Sequence, residues 1–266
     1  MVAGPAAAQA VALAKRLPSL RVGLHLVLVE GAPVSEPQDI PDLVDSTGQL
    51  RRDMVRLAFD IALKPSVRGQ LRSEIIAQFE AFRRTGLPLD HVNAHKHFHV
   101  HPLIAREVLA IGRNYGMKAL RVPAEPTDIV ARIDNKSPAF SERVMAPWTS
   151  VLRGWARRAG LTTPDAVFGL RWTGAITAER LAALLSLLPD GLIEIYTHPA
   201  RRDDFPGHAP GYRYADELKA LTAPEVIAAV KQSRRQLGGY ADVGAAYSNS
   251  SPRKPEPSTG LPLVRE

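Results

Sequence analysis

Five of the eight histidines lie between His91 and His101, in the string Asp90-His91-Val92-Asn93-Ala94-His95-Lys96-His97-Phe98-His99-Val100-His101-Pro102. In an extended segment His95, His97, His99 and His101 would share one face, with Lys96, Phe98 and Val100 on the other. Neutral imidazole binds metals and exchanges protons near neutral pH, so such a face could hold a cation or move protons. Some of these rings could instead cap the following helix or satisfy backbone carbonyls. Two more histidines stand apart. His25 interrupts the apolar run Val22-Gly23-Leu24-His25-Leu26-Val27, where a lone histidine is more often a hydrogen-bonded core residue than a ligand. His198 follows a strand-like segment in Glu194-Ile195-Tyr196-Thr197-His198-Pro199, and in parallel α/β folds functional groups collect at the carboxyl ends of strands. There it could serve as a general acid or base, or be a loop histidine held by the proline turn.

Other chemistries are excluded. The chain has no cysteine, so disulfides, thiolate zinc sites and cysteine nucleophiles are ruled out, and any metal must rest on His, Asp or Glu. Neither a Gly-x-Gly-x-x-Gly nor a Walker pattern occurs, and no serine nucleophile elbow is present. With 34 Lys and Arg against 27 Asp and Glu, the net charge of +7 is diffuse, which argues against nucleic acid as the partner. No apolar run approaches the roughly 18 residues of a membrane span. The segment Met1 to Ala14 lacks a basic leader, so the expected location is cytoplasmic, with peripheral membrane contact left open.

The elements that must position these residues alternate between strand-like and helix-like. Strands are expected at Leu20 to Val29, from Asp90, at Lys118 to Val122, Ala166 to Leu170 and Gly191 to Tyr196. Helices are expected at Pro5 to Leu17, Arg52 to Leu63, Ser66 to Thr85, Pro102 to Tyr115 and Thr177 to Leu188, with two more at Ala215 to Leu221 and Pro224 to Leu237. Phe140 to Gly160 reads as a basic amphipathic helix with Trp148, Val151, Leu152 and Trp155 beside Arg143, Arg153, Arg157 and Arg158. It could lie on a membrane or line a groove, although core packing with a solvated basic back is the commoner use. The alternation favours a parallel sheet in one α/β domain over 1–247, open or closed into a barrel, with a disordered tail at 248–266.

Three motifs in this order, Gly23-Leu24-His25-Leu26, Asn93-Ala94-His95-Lys96-His97-Phe98-His99 and Glu194-Ile195-Tyr196-Thr197-His198-Pro199-Ala200, resemble the YdjC/ChbG-type carbohydrate deacetylases, and more closely their hopanoid-associated HpnK branch. The similarity runs from Met1 to about Val243. The resemblance implies a distorted (β/α) barrel of the YdjC/polysaccharide-deacetylase kind, a divalent metal ion (Mg or Zn), and hydrolysis of an N-acetylamino sugar. For the HpnK branch the implied substrate is N-acetylglucosaminyl bacteriohopanetetrol, and a homodimer is an expected assembly. Carried over by motif, His25 and His95 are implied metal ligands and His198 the catalytic acid, with His97, His99 and Arg121 on the substrate. Family members usually have Asp where this chain has Asn93. They also open with a strand ending in an Asp-Asp-Phe-Gly-like motif, whose carboxylates supply a third metal ligand and the base. Met1-Val2-Ala3-Gly4-Pro5 resembles the segment beyond that strand and its helix, so this reading expects a barrel lacking both. The alternative expectation is a non-catalytic remnant that binds lipid or a biosynthetic partner.

Overall fold

The computed structural model describes residues 1–135 and 140–243, and for 140–146 the backbone alone. The tail expected at 248–266 and the side chain of Arg143 lie outside the described residues. In chain order the elements are α1 (Ala7–Arg16), β1 (Leu24–Leu26), α2 (Met54–Leu63), α3 (Pro65–Arg84), β2 (Val92–Ala94), α4 (Pro102–Asn114), α5 (Thr127–Asp134), α6 (Phe140–Arg158), β3 (Ala166–Phe168), α7 (Ala178–Leu187), β4 (Ile193–Ile195), α8 (Tyr214–Thr222) and α9 (Pro224–Gln232). No helix among the described residues is long and apolar enough to cross a membrane.

All strand pairings among the named strands are parallel. β1 pairs with β2 in the register His25 to Asn93, and β3 pairs with β4 with Val167 opposite Glu194. Single bridges join the two ladders: Arg121 N–H donates to the Val92 carbonyl at 2.9 Å, Leu120 N–H to Thr162 at 3.0 Å, and Val167 N–H to Ala124 at 2.9 Å. The backbone thus steps from β1 through β2, 118–124 and 162–168 to β4, the parallel α/β progression that strand–helix alternation implies.

The strands are shorter than expected, for local reasons. Beyond Leu26 the ladder ends because Val27 gives its N–H to Gln78 Oε1 (2.9 Å) and its carbonyl to Gln78 Nε2 (2.6 Å), an amide side chain taking the place of a neighbouring strand. The segment 118–122 makes only isolated bridges, and Pro123 has no N–H with which to extend it. Helix boundaries follow their signals more closely. Thr177 caps α7 by accepting the Arg180 N–H, Asp53 caps α2 through Arg56, and α4 opens on Pro102.

One expectation is overturned. His95 to His101 is not extended: the chain turns tightly over His95–Val100 and kinks at Lys96 and His97, which adopt left-handed φ values of 51° and 53°. The chain must reverse from the end of β2 into α4, and the turn sends successive rings in different directions. α5, which follows Pro126, was not expected; its apolar face is Ile129, Val130 and Ile133.

Three apolar clusters hold the frame. Leu24, Leu26 and Val92 pack with Leu57, Ile75, Phe79 and Ile104 of α2, α3 and α4. Ile129 and Val130 pack with Phe168, Trp172, Leu184 and Val226. Trp148 and Trp155 meet edge-to-face at 5.3 Å and pack on Val122 and Leu152, and Trp148 Nε1 donates to the Val100 carbonyl. The aromatic stripe of α6 is therefore core packing.

Candidate functional site

The site lies where β1, β2 and β4 end. His25, in β1, donates from Nδ1 to Asn93 Oδ1 on β2 at 2.6 Å, and its ring centroid is 5.9 Å from that of His95, the residue after β2. Asn93 Nδ2 contacts His91 Nε2 at 3.2 Å, and His91 Nδ1 contacts Asp90 Oδ2 at 2.8 Å. Burial lowers the pKa of His25 to about 3, against the opposing hydrogen bond to Asn93. Burial also holds His95 below the usual histidine value. Both rings are therefore neutral at pH 7, with nitrogen lone pairs to offer. Lys96 ties this corner to the β1 loop by donating to Glu30 at 2.6 Å.

The β4 side supplies His198 and Tyr196. His97 and His198 flank Tyr196, with ring centroids 5.4 and 5.5 Å from it. The Thr173 hydroxyl donates to the Leu170 carbonyl (2.6 Å), so it accepts from Tyr196 (2.8 Å). Tyr196 then accepts from His97 Nε2 at 3.3 Å, which leaves His97 Nδ1, partnerless among the described residues, as an acceptor. Burial depresses His97 to about 3 and raises Tyr196 to about 12. Tyr196 lies between His97 and His198. Burial lowers the pKa of His198, and the nearby Glu217 carboxylate opposes that shift. Glu217, wholly buried on α8, accepts the backbone N–H groups of His198 and Ile176 and so fixes the loop after β4.

His99 and Arg121 lie behind the site. His99 is 1% exposed and donates from Nε2 to the Arg121 carbonyl at 2.7 Å. The Arg121 guanidinium pairs with Glu194 of β4 (Nε to Oε1, 2.9 Å) and sits 4.9 Å from the Tyr196 ring centroid. Burial works against its charge, and the Glu194 pairing outweighs that and raises its pKa. Tyr240 closes the same group by donating its hydroxyl to Glu194. His101 turns away from the site altogether, towards the Ala58 carbonyl. Thus His25, His95, His97 and His198 come together, and His99 and Arg121 support them from the interior. Sequence reasoning did not single out Tyr196, Glu217, Glu194 or Tyr240 as site residues; the first and third were visible only as neighbours of His198.

His99 gives a pH test of this packing. Burial lowers its pKa to about 4, partly offset by the bond to Arg121, against about 6.5 in the unfolded chain. Between these values the unfolded state binds the extra proton. Its contribution to stability is therefore complete above about 6.5 and is lost as pH falls towards 4, by roughly 1.4 kcal/mol per pH unit at the steepest. Denaturant midpoints measured from pH 7 to 4 should fall more steeply than this, because His25 and His97 add slopes of the same sign, and His99→Gln, which retains a donor for the Arg121 carbonyl, should make the fall shallower. Equal slopes in the two proteins would contradict the assignment.

Two neutral imidazoles, His25 and His95, are suitable cation donors. Among the described residues, however, no group of three or more His, Asp or Glu is placed to hold a metal ion, so the set falls short of the three protein ligands typical of hydrolytic zinc sites. Beside His97 opens a cavity of about 420 Å³, lined by Val100, Pro123, Pro126 and Leu170 together with the charged residues Glu125, Arg153, Asp165 and Arg171.

Residues 1–232 match the family model described as YdjC-like protein. A carbohydrate deacetylase of Brevibacillus brevis is 30% identical over 238 residues, covering 88% of this chain and 83% of that protein. A carbohydrate deacetylase of Geobacillus stearothermophilus is 29% identical over 239 residues, covering 89% and 81%. Among solved structures, a protein of Enterococcus faecalis V583, provisionally described as a cellobiose-phosphate cleavage protein, superposes with a TM-score of 0.69 at 22% identity, covering 91% of this chain and 85% of that one. At that identity the likeness establishes the fold, a mixed α/β architecture with few parallel strands and many helices. With the family model covering nearly the whole described chain, this protein belongs to the YdjC-like family.

Proposed function

We propose that this protein is a carbohydrate deacetylase that hydrolyses the acetamide of an N-acetylamino sugar. The observation that carries the reading is the approach of the His25 and His95 rings to 5.9 Å, both neutral, with His198 beyond β4 packed on the Tyr196 ring that His97 also contacts. The names of its relatives support it. Amide hydrolysis needs a proton acceptor for the attacking water and a donor for the departing nitrogen. His198 is the proposed donor: burial lowers its pKa and so makes its proton easier to give up, while Glu217 opposes that shift and holds its backbone in place. Water's oxygen bonds to the acetyl carbon as the C–N bond breaks, so that acetate leaves, the amine takes its proton from His198, and the proton released by water restores that ring.

The proposal includes a divalent ion bound in part by His25 and His95. Imidazole donors suit zinc better than magnesium, which prefers oxygen ligands. For the sugar's aglycone we propose a hopanoid lipid, and the apolar lining residues of the cavity beside His97 support this. The test is to incubate the protein with N-acetylglucosaminyl bacteriohopanetetrol and, separately, with a chitooligosaccharide, following free amine with and without a chelator. Amine from the hopanoid, lost with chelator and restored by Zn²⁺ or Mg²⁺, is expected. Amine from the oligosaccharide alone would overturn the hopanoid assignment, and chelator-resistant turnover would overturn the ion.

A further inference from the structure

We infer that Asp90 and His91 are positioning residues for His25, acting through the Asn93 amide to decide which nitrogen of the His25 ring carries the proton. The deduction follows the hydrogen-bond inventory along Asp90, His91, Asn93 and His25. The Asp90 carboxylate already accepts the backbone N–H groups of Tyr240 (3.1 Å) and Ala241 (2.8 Å), so towards His91 it can only accept. His91 must therefore donate from Nδ1, which in the neutral ring makes Nε2 an acceptor. Asn93 turns its Nδ2 to that acceptor, which leaves its Oδ1 facing His25. Oδ1 can only accept, so His25 must carry its proton on Nδ1 and keep Nε2 as a lone pair. A carboxylate at position 93 would also accept from His25 Nδ1, but it could offer His91 no donor and would demand a second proton on that ring; the amide satisfies a neutral His91. The amide makes the arrangement of protons unique.

The surroundings hold this relay in place. A Cβ on Gly23 would lie 2.6 Å from His91 Cε1 and 2.7 Å from the His91 carbonyl, so the ring can lie against β1 only because residue 23 has no side chain. A Cβ on Gly239 would lie 2.8 Å from Asp90 Oδ1 and 2.4 Å from Arg21 Cβ, so glycine is what lets the 239–241 backbone approach the carboxylate. The Tyr240 ring covers His91 at 4.8 Å between centroids. Outer partners that set the tautomer and orientation of a working histidine typically matter by about 10–100-fold.

The effect on turnover rests on the deacetylase reading; the placement of the proton does not. The experiment is therefore nitrogen-15 NMR of the histidine rings in the full chain, with kcat and KM measured on the same samples and His25→Gln used to assign the His25 signals. In the wild type His25 should be protonated at Nδ1 and bare at Nε2. His91→Phe keeps a ring against Tyr240 but offers Asn93 no acceptor. The amide is then free to turn, a His25 form protonated at Nε2 should appear, and kcat should fall about 10–100-fold with KM unchanged. His91→Gln, whose carbonyl can again accept from Asn93, should restore the Nδ1 proton and most of kcat. A His25 that remains wholly Nδ1-protonated in His91→Phe, or that is protonated at Nε2 in the wild type, would overturn the inference. If no sample turns over while the tautomer shifts as expected, the relay stands and the deacetylase reading fails.

Discussion

Replacing His95 by Ala is expected to reduce acetate release by about 10²–10⁴-fold, the range over which a positioned proton-transfer or ligating group acts. The reason is geometric. His95 is the first residue beyond β2, and its ring meets that of His25 edge-on at 5.9 Å between centroids. The ring is only half-buried, so truncation leaves no large cavity and the variant should unfold at nearly the wild-type temperature. His101→Ala is the matched control: it comes from the same histidine string but turns towards the Ala58 carbonyl, and activity should stay within about two-fold. Paired assays of acetate release and thermal unfolding on both variants decide the matter. Full activity in His95→Ala would remove the residue from the site.

Removing Glu194 is expected to be the costliest single change to stability. The Arg121–Glu194 pair is nearly enclosed, with the side chains 10% and 16% exposed, and Tyr240 also donates to the carboxylate. Glu194→Ala leaves a guanidinium buried without its partner, a situation that costs about 3–5 kcal/mol. For a domain of this size that corresponds to a fall of roughly 6–20 °C in Tm. The double variant Arg121→Met/Glu194→Leu removes both charges together and should recover most of the loss, because buried pairs are often replaceable by apolar residues. The same variants separate two roles for Arg121. If it only clamps β4 against 118–122, the folded double variant keeps the wild-type KM; if Arg121 also holds substrate, KM rises although stability returns.

How far the molecule could be read in advance depended on the range of the interactions. Helices announced by local chemistry, such as α7 behind Thr177 and α4 at Pro102, lie within a residue or two of their expected bounds. The parallel order was legible because the alternation of strand and helix implies it, whereas the roles of His25, His95 and His198 rest on the resemblance of their motifs. The conformation of His95 to His101 was not legible, since two non-glycine residues in left-handed conformation carry no sequence signal. Nor could sequence show that Gln78, from α3, terminates β1, that Glu217 holds the loop at His198, or that Tyr240 reaches back 150 residues to Asp90. Each of these is a side chain or backbone group from a distant segment satisfying a donor or acceptor that its own neighbourhood leaves open.

The most direct test of the site is to quantify acetate and free amine together, from one sample of an N-acetylglucosaminyl substrate incubated with wild-type protein, His25→Ala and His95→Ala. The converging histidines predict equal amounts of the two products from the wild type, rising together with time, and neither from the two variants. Absence of acetate from the wild type, or undiminished and equal products from both variants, would contradict the assignment of this histidine cluster to acetamide hydrolysis.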